Sequence, residues 1–122
     1  MGASINQNSP TLMSKVDLMG QFVSFHTANP EIYRLFVKYA HEVFGVGRER
    51  YSARTIIERI RWHIIVNTKS NDDFKINDHH TPFYARMFIY DHPDMKMYFE
   101  LRYTSWETEF SRWLQLDRRE RL

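Results

Sequence analysis

The sequence predicts a mainly α-helical domain with a small antiparallel β-hairpin, an α+β class in which a winged-helix-like arrangement is one solution. Three observations lead there. Several stretches space apolar residues three and four apart behind good capping residues. Two short stretches alternate apolar and polar. The chain has 122 residues, no cysteine and 16% aromatic residues, so one ring-rich core can hold it without disulfides. Residues 1–12 read as a flexible polar arm, 13–117 as a single helical domain with a short two-stranded sheet, and 118–122 as a basic tail.

The first helix is expected from Ser14, whose hydroxyl suits an N-cap, to about His26, with Val16, Met19, Phe22 and Val23 at helical spacing. The second has the clearest punctuation: Asn29 as cap, Pro30 in the first helical position and Glu31 on the positive end of the dipole. Its stripe is Ile32, Phe36, Tyr39, Ala40 and Val43, and Gly45 and Gly47 offer left-handed stops. Ser52 caps a third helix whose apolar face is Ile56, Ile57, Ile60 and Ile64, while the β-branched run Ile64-Ile65-Val66 points to an end near Val66.

Phe74-Lys75-Ile76-Asn77 alternates as a short strand would. Thr81-Pro82 opens a fourth helix to about Tyr90, broken by Asp91-His92-Pro93. Met97 to Tyr103 alternates again and is the second strand of the hairpin. Thr104 to Glu107 has capping-box form and starts a last helix with the stripe Trp106, Phe110, Trp113 and Leu114.

Composition narrows the function classes. No run approaches the length of a membrane span, and residues 1–10 lack the basic and apolar regions of a signal peptide. Absence of cysteine removes thiolate metal sites and suits a cytoplasmic protein, although it is also compatible with export. Net charge is only +2, with a pI near 9.0, but it is unevenly spread. Five arginines and two glutamates lie between Arg48 and Arg61.

An enzyme reading finds little to build on. Four glycines form no phosphate-cradling loop, and no nucleophile elbow is present. Asp78, His79 and His80 suggest a metal-dependent hydrolase as a third-ranked idea. Adjacent histidines cannot both face one ion from a regular helix or strand, so a polar helix-start loop is the plainer reading, and no metal or cofactor is expected. The arginine cluster is more informative. Arg48, Arg50, Arg54 and Arg61 would hold phosphates, while Lys75, Asn77, His79, His80, Tyr84 and Arg86, near the start of the fourth helix, would approach a groove or strand. A solvated charged face with an Arg54–Glu58 pair is the competing account.

The run from Phe25 to Arg102 resembles a group of small uncharacterised proteins encoded in bacteriophages and prophages. The resemblance rests on Phe-His-Thr-Ala-Asn-Pro-Glu-Ile-Tyr (25–33), Tyr-Ser-Ala-Arg-Thr-Ile-Ile-Glu-Arg-Ile-Arg-Trp (51–62), Phe-Lys-Ile-Asn-Asp-His-His (74–80), Tyr-Ala-Arg (84–86) and Phe-Glu-Leu-Arg (99–102). It brings no activity with it. It implies an accessory role of phage type, and it disfavours the nuclease idea because such sequences carry other residues where His79 and His80 stand. The helix and strand order suits a winged helix, although fourteen residues separate Val66 from Thr81, more than a helix-turn-helix uses.

The leading expectation is thus a non-enzymatic nucleic-acid-binding accessory protein. The alternative is a protein that inhibits or adapts a host defence or replication factor, with Tyr98, Tyr103, Trp106 and Trp113 as anchors against a host protein or across a homodimer.

Overall fold

Prolines and small polar caps divide this chain into helices, and buried aromatic rings join them. The computed structural model describes residues 10–68 and 75–121, with side chains from Leu18 onward in the first helix. The helices are α1 (Pro10–Ala28), α2 (Pro30–Gly45), α3 (Ala53–Thr68), α4 (Thr81–Asp91) and α5 (Glu107–Glu120). Short 3₁₀ turns at Asp78–His80 and Pro93–Met95 flank α4. Helix α2 packs on α1, α3 and α4, and α3 packs on α4.

Local chemistry accounts for most boundaries. Helix α1 begins at Pro10, whose fixed φ suits a first turn, so Ser14 lies inside the helix rather than capping it. Asn29 does not cap α2 through its side chain. Its Nδ2 donates instead to the Phe25 carbonyl at 3.0 Å and closes the end of α1. Ser52 does cap α3, accepting from the Thr55 amide at 3.3 Å. That helix outruns the expected end at Val66, because the Asn67 and Thr68 side chains donate back to the His63 and Ile64 carbonyls. Gly47 has φ +98°, the left-handed conformation that stops α2.

Among the described residues there is no strand, so the expected α+β class, its antiparallel hairpin and the winged-helix arrangement are all corrected to an all-helical architecture. Phe74 lies outside the described residues; Lys75–Asn77 and residues 99–103 run without pairing. The carbonyls that a ladder would use are taken by side chains and by one loop amide. Ile76 O accepts from Arg61, Arg102 O from Arg86 at 2.6 Å, and Tyr98 O from the Tyr51 amide at 3.0 Å. Each segment is anchored by one core side chain, Ile76 or Phe99. The other residues of the alternating set do not share a buried face: Met97, Leu101 and Tyr103 are exposed. The capping box at Thr104 also fails, since the Glu107 carboxylate turns to Arg86.

The core is a stack of rings around α4. Phe83 lies flat against Trp106 at 3.9 Å and against Phe22 at 4.9 Å, with Phe110 edge-on. Phe36, Phe88 and Phe99 form a second cluster, extended by Phe44. The expected stripes of α2, α3 and α5 supply Ile32, Phe36, Tyr39 and Ala40, then Ile56, Ile57 and Ile60, then Phe110 and Leu114. Helix α4 is covered on all sides from Phe83 to Phe88.

Helix α5 is also clipped at its far end. Arg118 binds both carboxylate oxygens of Asp91 at 2.7 Å and also contacts Asp117, while the Tyr33 hydroxyl donates to Asp91. Burial pushes the Asp91 carboxyl up, but the Arg118 and Tyr33 hydrogen bonds outweigh it and hold it below the usual carboxylate range. The basic residues expected as a tail are therefore partly helical, and Arg118 and Arg121 are paired to acids.

Arg86 is the buried charge of the core. Its guanidinium donates to Glu107 at 2.7 Å, to Pro82 O at 2.9 Å and to Arg102 O at 2.6 Å, and stands over the Trp106 ring at 4.8 Å. Substitution Arg86→Met leaves two carbonyls and a carboxylate without their donor, and is expected to lower stability by about 3 kcal/mol in urea denaturation.

Candidate functional site

Three segments enclose a groove of about 580 Å³. The approach to α3 contributes Arg50 to Arg54, the first turns of α4 contribute Thr81, Pro82, Ala85 and Arg86, and the loop before α5 contributes Phe99 to Arg102 and Thr104. The Tyr51–Tyr98 backbone bond holds the first segment beside the third. Arg86 bonds the third to α4. The groove is thus framed by contacts already needed for folding.

Its chemistry is cationic with apolar walls. Four arginines line it against one carboxylate, Glu100. Arg86 is tied up in the floor, whereas Arg50 and Arg102 make no ion pair among the described residues. Arg54 reaches Glu58 only at 3.8 Å, with both side chains well exposed, a contact of little strength. Arg48, beside the groove, places its guanidinium over the Tyr51 ring at 5.6 Å. The hydroxyls of Thr81 and Thr104, both lining residues, are buried and make no hydrogen bond among the described residues.

The residues expected to bind nucleic acid therefore separate. Arg50 and Arg54 meet at the groove, and Arg48 stands next to it. Arg61 is turned away, donating to the Ile76 carbonyl and to Asp78 at 2.7 Å, a bond that holds the Asp78 carboxyl below its ordinary range. Lys75, Asn77 and His79 are exposed on the segment that leads into α4, outside the groove lining. Asn77 caps the 3₁₀ turn by accepting from the His79 amide at 2.9 Å.

Two residues expected at a nucleic-acid surface are corrected to core positions, His80 and Tyr84 at 5% and 0% exposed, while Arg86, 8% exposed, lies in the groove floor with its guanidinium already bonded. His80 packs against Phe22 and Phe25, and Tyr84 against Phe22 and Phe36. The surrounding rings of α1 and α2 leave no route for a partner. Nor do Asp78, His79 and His80 converge, for one is held by Arg61, one is exposed and one is buried. Among the described residues no group of three His, Cys, Asp or Glu is placed to hold a metal ion.

The four aromatic anchors separate as well. Trp106 is buried against Phe83, Trp113 is half-buried on Phe110, and Tyr98 is half-buried on Phe44 at 4.1 Å. Only Tyr103 is largely free, at 81% exposed. Arg102 and Glu100 are the groove residues that sequence reasoning missed. Both sit in the Phe-Glu-Leu-Arg run that carries the resemblance, so the signal was present but was absorbed into a strand.

An all-helical domain presenting one basic groove is the class this geometry defines. Comparison with protein-family models, with curated protein sequences and with solved structures finds no match in any of the three. No helix among the described residues is long and apolar enough to cross a membrane.

Two measurements check the corrected placements. The Tyr84 hydroxyl is buried and has no hydrogen-bond partner among the described residues, and burial raises its pKa above the usual phenolic value. Deleting it in Tyr84→Phe removes an uncompensated polar group, so the melting temperature should rise, by the equivalent of about 1 kcal/mol. Burial also holds the imidazoles of His26 and His80 below their ordinary pKa, against a smaller upward pull of Asp117 on His26. Below about pH 6.5 the unfolded chain takes up protons that the folded chain refuses. Stability should be full above that pH and decline towards pH 5 in thermal melts, with a shallower decline in His80→Leu. The Asp91 clip adds acid sensitivity only at lower pH, because its carboxyl is held below the usual carboxylate range.

Proposed function

We propose that this chain is a nucleic-acid-binding accessory protein that holds phosphates in the groove between the approach to α3, the start of α4 and the loop before α5. The observation that carries the reading is the convergence of Arg50, Arg54 and Arg102 on one concavity that contains a single carboxylate. Guanidinium forks match phosphate oxygens in pairs, and unpaired ones need no existing bond to break before binding. No histidine lines the groove to serve as a base, which favours binding over catalysis. The phage or prophage setting belongs to the same proposal and rests on the resemblance of residues 25–102.

A second reading, a protein that inhibits or adapts a host factor, draws on α3. Trp62, Ile65 and Val66 lie three and four apart and are exposed together, an apolar strip distinct from the groove.

Fluorescence anisotropy against a labelled oligonucleotide across a salt series tests the first reading. Log affinity should fall linearly with log salt. The triple variant Arg50→Ala, Arg54→Ala, Arg102→Ala should flatten the slope by about 2 for a single strand. Absence of binding at low salt would dispose of the proposal.

A further inference from the structure

We infer that the groove takes a single strand rather than a duplex, with phosphates along Arg50, Arg54 and Arg102 and one base stacked on Tyr103. This rests on the nucleic-acid reading above and narrows it.

The first argument concerns what the fold withholds. A major-groove reader needs a protruding helix with polar residues on its leading face. Helix α4, the one whose start lies at the groove, is buried from Phe83 to Phe88 and cannot protrude. The exposed side of α3 carries Arg54, Glu58 and Arg59 in its first half and then the apolar strip Trp62, Ile65 and Val66, which a duplex backbone lying along the helix would not favour. Among the described residues no strand ribbon is available for either groove of a duplex.

The second argument concerns what the concavity offers. Its volume of about 580 Å³ lies in the range of small-molecule sites, large enough for a nucleotide unit and too small to admit a double helix. A duplex surface is convex and rigid, so it would rest on the rim and reach few of the arginines. A flexible strand can thread phosphates between them. The walls at Ala53, Pro82, Ala85 and Leu101 are apolar, which suits sugar and base faces that are covered in a duplex and open in a single strand.

Tyr103 supplies the stacking surface. Its ring is 81% exposed and, though outside the groove lining, it is joined in the chain to two residues that do line it, Arg102 and Thr104. It has no ring partner among the described residues, whereas Trp106, Phe99 and Tyr98 nearby are packed into the core. An exposed ring one residue away from a cationic lining supplies the two parts, stacking face and phosphate ligands, by which proteins hold single strands with little sequence preference.

The experiment is an anisotropy competition using the whole chain, labelled oligothymidylate and a mixed-sequence duplex of equal length at low salt. Oligothymidylate should bind at least about tenfold more tightly than duplex, and Tyr103→Ala should weaken single-strand binding about tenfold while leaving duplex binding unchanged. Since Tyr103 is exposed, this variant keeps the fold, and a matching thermal melt verifies that. Equal or tighter duplex binding overturns the single-strand assignment while the phosphate groove stands. So does a Tyr103→Ala variant with unchanged single-strand affinity. Failure to bind either ligand removes the nucleic-acid reading itself.

Discussion

A guanidinium removed from water has to be met by acceptors on several sides, and at Arg86 those acceptors come from three parts of the chain. Pro82 O belongs to its own helix, Arg102 O to the loop before α5, and the Glu107 carboxylate to the first turn of α5. A charge with 8% exposure cannot relinquish any of them cheaply, so the loop and α5 are placed relative to α4 by its demand. The same demand explains why residues 97–103 form no ladder. Arg102 O is already spoken for, and the remaining loop geometry follows from Phe99 in the core and Tyr51 on Tyr98 O.

Arg61 and Arg118 repeat the device nearer the surface. Arg61 fastens the segment before α4 by taking Ile76 O and Asp78, and Arg118 fastens α5 through Asp91 and Asp117. In each case the planar fork serves two or more acceptors at once, which an ammonium group does less well. Irregular segments that would otherwise need a sheet to satisfy their carbonyls are satisfied by side chains from helices. Arg61 and Arg86 thus do for this fold what strand pairing would have done for the expected hairpin.

The helices were legible because their signals are local. Pro30 after Asn29 and Ser52 before Ala53 mark starts within a residue, and the apolar stripes of α2, α3 and α5 match the buried faces. The hairpin was not legible because alternation describes one chain segment, whereas pairing requires a partner with unoccupied backbone groups. Only Phe99 of the alternating set is buried. His80, Tyr84 and Arg86 were assigned to a surface because their tips are polar. Yet α4 is buried from Phe83 to Phe88, so Tyr84 meets core rings and the Arg86 guanidinium is held by its own acceptors in the groove floor. Half of the groove was readable, from Arg48 to Arg54. The other half was hidden in the supposed strand, since its approach to α3 depends on a bond between residues 51 and 98 that no spacing rule announces.

A net charge of +2 understates the field such a surface can exert. Carboxylates at Asp78, Asp91 and Asp117 pair with Arg61 and Arg118 away from the groove, and Glu107 offsets Arg86 in its floor. What a polyanion senses is the charge within a screening length, about 10 Å at moderate salt. There, Arg50, Arg54 and Arg102 face Glu100 in the lining and the exposed Glu58 beside Arg54. Counting residues along the chain places the basic focus between 48 and 61, but folding divides that focus. It withdraws Arg61 to hold a loop and brings in Arg102 from the far side of α4. The basic groove is a product of which arginines the core leaves unpaired, and sequence clustering is only a partial guide to it.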